Sequence, residues 1–298
     1  MKTTYPFISS NSSFTGCVRK DYAFRSSPNL FSITLQSNEC EQDCKGRDLR
    51  NQQVILDSSL THNFISCSWY GCTGTKGPAI SFQSKTGSSL QVIQCSFDSC
   101  ISSSTAREDG GGAINAYTVK SVSIISSFFR SCYCPNSGGA VLLHDVTDSP
   151  FVQFCTFLSC TAVGDAGGIG VYTCGNNLNS VAVQNCRFFS CHCDDSSGAY
   201  EYYNNTCRVC SSCLYCRCSA TIGGALWIGF YRTYYSNEIS FSLYHENDGN
   251  SGKDLHFSDA EKNVIFHCFT TSSGTDRVHT TKLITTTNYP NWLPHACN

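Results

Sequence analysis

One short phrase recurs along this chain, and its spacing limits the fold more than any other feature. The copies are Cys67-Ser-Trp-Tyr-Gly-Cys72, Cys95-Ser-Phe-Asp-Ser-Cys100, Ser127-Phe-Phe-Arg-Ser-Cys132, Cys155-Thr-Phe-Leu-Ser-Cys160, Cys186-Arg-Phe-Phe-Ser-Cys191 and Cys213-Leu-Tyr-Cys-Arg-Cys218. Successive starts lie 28, 32, 28, 31 and 27 residues apart, and a degenerate copy, Ser242-Leu-Tyr-His-Glu-Asn247, follows after 29 more. In register the copies form columns. One is aromatic throughout: Trp69, Phe97, Phe129, Phe157, Phe188, Tyr215 and Tyr244. A second holds the apolar residues Phe64, Val92, Ile124, Val152, Val183, Cys210 and Ile239. A third holds Cys72, Cys100, Cys132, Cys160, Cys191 and Cys218, with Asn247 closing it.

A glycine phrase follows each copy: Gly77-Pro-Ala-Ile80, Gly111-Gly-Ala-Ile114, Gly138-Gly-Ala-Val141, Gly167-Gly-Ile169, Gly198-Ala-Tyr200 and Gly223-Gly-Ala-Leu226. Alternation over four or five residues marks a strand, and a break in parity marks a corner. Glycine pairs supply positive φ at tight bends. A coil of about 28 residues has room for three short strands, and coils stacked about 4.8 Å apart pair each strand with its counterparts in parallel. One coil cannot bury its own apolar side, whereas a stack builds a continuous core. Leucine-rich repeats and helical repeats need frames that are missing here. The expected fold is all-β: a single right-handed parallel β-helix solenoid of about seven coils spanning residues 61–257. Residues 1–60 are expected to form an irregular cap with room for one partial coil. Residues 258–298 are expected to supply a closing strand, Val264-Ile-Phe-His-Cys268, and an extended Thr-rich tail mobile at its tip. Exposed solenoid ends invite edge-to-edge pairing, which is why caps are required.

Charged residues are 14% of the chain and the formal net charge is −2, without basic or acidic blocks. Nucleic-acid binding therefore lacks electrostatic support. Twenty-two cysteines suggest an oxidising compartment. The first ten residues lack the apolar core of a signal peptide, and no 18-residue apolar window predicts a membrane helix. Two glycosylation sequons, at Asn11 and Asn204, are short patterns with little weight. Cell-surface or extracellular residence is the expectation, with the cytoplasm left open.

The Gly-Gly-Ala-Ile unit alternating with Phe-x-x-Asn, here mostly Phe-x-Ser-Cys with Tyr244-His-Glu-Asn247 nearest the original, resembles the repeats of polymorphic outer-membrane proteins, members of the pectin-lyase-like β-helix class. The Cys-x-Phe-x-Ser-Cys variant is similar to the Cys-rich β-helix surface proteins of trichomonad-type protists. The resemblance covers roughly residues 60–257 and implies surface display and adhesin-like binding of host-cell, environmental or glycan ligands. It implies no invariant catalytic residue, since the repeat in such families is scaffold. A monomer is expected.

Eleven of the 22 cysteines fall in the two ladder columns. Vertical neighbours about 4.8 Å apart lie within reach of a disulfide, but buried thiols serve equally well as small apolar groups. Compartment decides between them. The run Cys207-x-x-Cys210-x-x-Cys213-x-x-Cys216-x-Cys218 has metal-ligand spacing. The repeat accounts for Cys210, Cys213 and Cys218, so Cys207 and Cys216 suggest a local disulfide, and no metal or cofactor is expected.

Polysaccharide lyases and hydrolases share this architecture and act through paired carboxylates. The acidic candidates are Glu108, Asp109, Asp145, Asp148, Asp165, Asp194, Asp195 and Glu201, which do not share one outward column. His62, His144, His192, His245 and His256 are scattered, without a ligand pattern. No catalytic residue is assigned. The longest connection, Ile101 to Gly112, is the candidate binding loop, with Arg107, Glu108 and Asp109 at its centre. Arg107 beside Glu108 suggests an exposed ion pair of small value. Among Tyr200, Tyr202 and Tyr203, only Tyr203 is expected to face outward.

Overall fold

A computed structural model describes residues 61–83, 87–148, 150–172, 181–203, 207–229 and 242–258, with isolated strands at 25–27, 30–35, 42–45, 48–50, 52–56, 237–240, 264–267, 278–279 and 284–287. The chain winds as a right-handed parallel β-helix of about six turns. One coil consists of Ser121–Ile125, Phe128–Arg130, Tyr133–Cys134 and Val141–His144. Each of these strands pairs in parallel with its counterpart one coil below and one coil above, forming an entry sheet, an aromatic sheet, a short sheet and a glycine sheet. The coil thus has four strands rather than three. The additional one is only two residues long, too short to show as alternation in sequence.

The aromatic column is a continuous stack inside the solenoid. Centroids of successive rings from Trp69 to Tyr244 are 4.7 to 5.0 Å apart, with planes within 12° of parallel. Ring planes in contact are about 3.5 Å apart, so this separation means offset stacking, the favoured parallel geometry. The seven rings are buried.

Corners follow two rules. The residue before each phrase-opening position (Cys67, Cys95, Ser127, Cys155, Cys186 and Cys213) has positive φ, as at Ser66, Gln94, Ser126, Phe154, Asn185 and Ser212. The residue before each phrase-closing cysteine does too, as at Ser99, Ser131, Ser159, Ser190 and Arg217. Left-handed backbone in such residues costs roughly 1 kcal/mol or more each. The stack offsets that cost with coil-to-coil hydrogen bonds, such as Ser126 N–H to Gln153 O at 2.8 Å and Ser131 N–H to Leu158 O at 2.9 Å.

The two glycines of each pair do different work. Gly138 has φ +69°, but the equivalent positions two coils on are Ala166 and Ser197, both at positive φ. The second glycine is a matter of space: a Cβ at Gly139 would lie 2.1 Å from the carbonyl oxygen of Gly167 in the next coil.

At the N-terminal end, Leu30–Leu35 stacks in parallel on Gln52–Leu56, and Arg25–Ser27 crosses it antiparallel, which ends the parallel repeat. At the other end the pairing runs past the expected closing strand: Ile284–Thr287 adds to Val264–His267, and Val278–His279 adds to Leu255–Ser258. The tip of the Thr-rich tail lies outside the described residues.

Phe129→Ala or Phe157→Ala should cost about 3–5 kcal/mol in urea unfolding, as a buried aromatic truncation does. Gly139→Ala should destabilise more than Gly138→Ala, because Ala166 and Ser197 already fill the positions equivalent to Gly138, whereas glycine stands at the positions equivalent to Gly139 in the three following coils, Gly167, Gly198 and Gly224. The reverse order would contradict the assignment of roles within the pair.

Candidate functional site

The cysteine columns are a hydrogen-bond device. Each thiol sits just past a corner and points inward, where a carbonyl of the coil below needs a donor. Cys155 Sγ donates to Ile124 O at 3.5 Å, Cys186 to Val152 O at 3.5 Å and Cys213 to Val183 O at 3.5 Å. In the second column, Cys160, Cys191 and Cys218 donate to the carbonyls of Phe129, Phe157 and Phe188 at 3.6 to 3.7 Å. Where the sequence substitutes another residue, its side chain also joins the corner hydrogen bonds. Ser127 Oγ accepts from Cys95 N–H at 3.1 Å and donates to Ile125 O at 3.0 Å. Asn247 accepts from Cys218 N–H at 2.9 Å and donates to Tyr215 O at 3.2 Å. A column tolerant of Cys, Ser and Asn needs a small side chain that both donates and accepts.

All eleven ladder cysteines are buried. Burial pushes the thiols of Cys132, Cys186 and Cys191 well above their ordinary range. Hydrogen bonds with neighbouring thiols pull those of Cys100, Cys160 and Cys213 the other way, so it is burial rather than titration that shields both columns from reagents. Cys216 differs: it is disulfide-bonded. Cys207 belongs to the strand Cys207–Ser211, and its side chain lies outside the described residues. Among the described residues, no group of three His, Cys, Asp or Glu side chains converges as a metal site.

The loop from Ile101 to Gly112 is pinned in place. Arg107–Asp109 forms one 3₁₀ turn, and Asn115 Nδ2 donates to Glu108 O at 2.9 Å and Gly110 O at 3.0 Å. Asn136 Nδ2 holds Thr105 O from the next coil at 2.5 Å. Asp109 pairs with Lys76 at 2.5 Å, an ion pair linking this loop to the coil below. The Arg107 side chain lies outside the described residues, so its expected pairing with Glu108 does too. Glu108 points to solvent.

Two polar constellations that linear spacing hides come from residues about one coil apart. His192 Nδ1 is 2.8 Å from Ser219 Oγ, and its Nε2 is 2.9 Å from Asp194 Oδ1. With the carboxylate at Nε2, that nitrogen carries the proton and Nδ1 accepts from the hydroxyl. A hydroxyl, an imidazole and a carboxylate in series are the parts of an acyl-transfer site. Here, however, Ser219 N–H donates to Cys191 O at 3.0 Å and cannot stabilise an oxyanion. The trio is also open to water, with the His192 side chain 47% exposed.

The second constellation joins two of the acidic candidates. Ser196 Oγ lies 3.0 Å from Asp165 Oδ1 and 3.0 Å from Glu201 Oε2, and Tyr172 OH donates to Asp165 Oδ2 at 3.2 Å. The Ser196 hydroxyl has one hydrogen, which it can donate to one of the two carboxyl oxygens at a time. Glu201 is only 2% exposed. Asp145, Asp148, Asp194 and Asp195 do not join this group in any contact the structure records.

Apolar surface gathers elsewhere, on the outer side of the aromatic sheet. One outward column reads Ser68, Ser96, Phe128, Thr156, Arg187, Leu214 and Leu243, and the other reads Tyr70, Asp98, Arg130, Leu158, Phe189, Cys216 and His245. Tyr70 is 54% exposed, as is Phe154 at the corner beside the sheet. Arg130 pairs with Asp98 across the coils, which holds the Asp98 carboxyl below its ordinary range. Tyr200 and Tyr202 are buried, as expected, and Tyr203 is half-buried against Trp227 with centroids 5.8 Å apart.

No protein-family model, curated protein or solved structure matches this chain. Among the described residues, no helix is long and apolar enough to cross a membrane.

Cys155→Ser should be tolerated, because serine already fills this column at Ser127, whereas Cys155→Val should cost about 1–3 kcal/mol through the carbonyl left unpaired. Equal urea midpoints for the two variants would remove the hydrogen-bonding role. A thiol reagent applied to native protein should leave all eleven ladder cysteines unlabelled, and label them after unfolding.

Proposed function

We propose that this chain is a non-enzymatic surface or extracellular scaffold, adhesin-like, which binds host-cell or environmental ligands through the outer side of its aromatic sheet. The observation that carries this reading is a flat, hydrogen-bonded face bearing Tyr70, Phe128, Phe154, Leu158 and Phe189 with Arg130 and Arg187 among them. Apolar surface of this kind on a soluble fold marks a contact region, and aromatic residues with arginine are enriched in interfaces. The disulfide at Cys216 supports assembly in an oxidising compartment. The resemblance of its repeat phrases to those of polymorphic outer-membrane proteins and of Cys-rich β-helix surface proteins of protists supports the same role.

Antibody labelling of intact source cells tests display. Signal before permeabilisation is expected, and signal only afterwards would end the surface reading. For the binding face, Tyr70→Ser with Phe154→Ser should lower adhesion to host cells or immobilised glycans at least tenfold while leaving the melting temperature unchanged. Full adhesion by that double variant would move the contact elsewhere.

A second reading, a polysaccharide lyase or hydrolase of pectin-lyase-like type, is favoured by the Asp165–Ser196–Glu201 contact alone. An unsaturated, ultraviolet-absorbing product from a polyuronide panel would promote it. We expect none.

A further inference from the structure

Two runs of thiols climb the solenoid interior without a break. The longer holds Cys100, Cys132, Cys160, Cys191 and Cys218 in five successive coils, and the shorter holds Cys155, Cys186 and Cys213 in three. All eight are buried, and none is disulfide-bonded.

The longer run repeats one geometry. Cys132, Cys160, Cys191 and Cys218 each reach the carbonyl two residues back at 3.5 to 3.7 Å and a carbonyl of the coil below at 3.6 to 3.8 Å. Cys100 makes the first of these contacts at 3.7 Å. Equal side-chain orientation in stacked coils sets the sulfurs one coil rise apart, and the rings three residues earlier measure that rise at 4.7 to 5.0 Å. Neighbouring thiols interact along the run: Cys132 hydrogen-bonds Cys100 and Cys160, and Cys191 hydrogen-bonds Cys160 and Cys218. In the shorter run Cys186 does the same with Cys155 and Cys213.

Two sulfurs facing each other across that distance form a ligand pair. A metal–thiolate bond is about 2.3 Å long, so an ion midway between them makes two bonds in a straight line spanning about 4.6 Å. Side chains stand roughly perpendicular to a sheet, so the line from sulfur to sulfur lies across each Cβ–Sγ bond, the bent angle at which sulfur meets a metal. Zinc takes four donors in a tetrahedron, and calcium or magnesium takes six or more oxygens. Among the described residues, no three His, Cys, Asp or Glu side chains converge in such a set. A soft, closed-shell monovalent ion such as copper(I) is satisfied by two sulfurs.

We propose that these thiol runs bind soft monovalent ions of the copper(I) type between vertically adjacent cysteines. One ion and two thiols give a thiolate–ion–thiol unit and one released proton, so the unit is neutral and the core carries no uncompensated charge. Ions above and below the same sulfur would need a straight angle at an atom that also carries Cβ, so each thiol serves one ion. The longer run then holds two ions and the shorter run one. Loading accompanies the stacking of the coils, since the closed solenoid buries every donor. Each bound ion ties one coil to the next and stabilises the native state as any ligand specific to it does. The site depends on the thiols alone and stands apart from the scaffold reading of the outer face.

The test is anaerobic refolding of the full chain with silver(I) nitrate, a redox-inert analogue of copper(I), in chloride-free buffer, followed by gel filtration and elemental analysis. The refolded protein should retain silver and melt at a higher temperature than protein refolded without it. X-ray absorption should show two sulfur neighbours per silver, without nitrogen or oxygen. Cys132→Ser with Cys191→Ser leaves no two adjacent thiols among the five and should remove two silver ions per chain. Cys186→Ser lies in the column where serine already stands at Ser127, and should remove one. That second comparison decides the matter if the double variant fails to refold. Cys134→Ser alters a buried thiol whose neighbour in the next coil is Ala162, and should remove none. No silver retained by the wild type, silver unchanged in Cys186→Ser, an equal loss in Cys134→Ser, or a shell of three or more donors overturns the proposal.

Discussion

The rise of one strand spacing per coil is the constraint on which everything else in this molecule depends. Parallel pairing places each residue directly over its counterpart, so side chains meet copies of their own column rather than complementary partners. Few side chains tolerate this. Flat rings do, by offset stacking at 4.7 to 5.0 Å. Small groups that accept a backbone N–H from the coil below and donate to a nearby carbonyl do, as Ser127 and Asn247 show. At the second glycine, backbone of the coil above comes too close for any Cβ, with clashes of 1.9 to 2.3 Å in successive coils.

Cysteine in those columns is a compromise between packing and polarity. A thiol fills space like a small apolar group but still offers a weak donor to the corner carbonyl. Fully buried and without an oxidant's path, such thiols persist in either redox environment. The cysteine count alone therefore says little about compartment.

Column identity made the interior legible in the sequence. Trp69 to Tyr244 and Cys72 to Cys218 could be placed because seven copies repeat one chemistry. The corners were hidden. Ser126, Phe154, Asn185 and Arg217 share positive φ without sharing any side-chain property, since coil-to-coil hydrogen bonds set their backbone. The glycine pair misled for a related reason: glycine marks both a bend and a close approach, and only geometry separates them. The outer face was hidden too, because each coil puts a different residue there. His192 and Ser219 are 27 residues apart and become neighbours only when the coils are laid in register. The loop around Arg107, Glu108 and Asp109 was found from its length, but length does not reveal that Asn115 and Asn136 hold it down.

This contrast between a repeating interior and a changing exterior bears on function. Catalysis needs a few groups held in one geometry around a reacting atom. The outer columns offer instead a slowly varying strip, Tyr70, Asp98, Arg130, Leu158 and Phe189, whose properties add up over several coils. Under the proposed scaffold role, recognition by many modest contacts would suit such a surface, and with a net charge of −2 shape and apolar area would have to supply the affinity. The closest approach to a catalytic pair, Asp165 with Glu201, lies where one acid is 2% exposed. A polymer substrate would reach it only by unseating Ser196, and with it the coil-to-coil bridges that join Ser196 to Asp165 and Ile222. Hydrolytic turnover at that point would open the stack on each cycle, whereas binding along the aromatic sheet leaves every column closed.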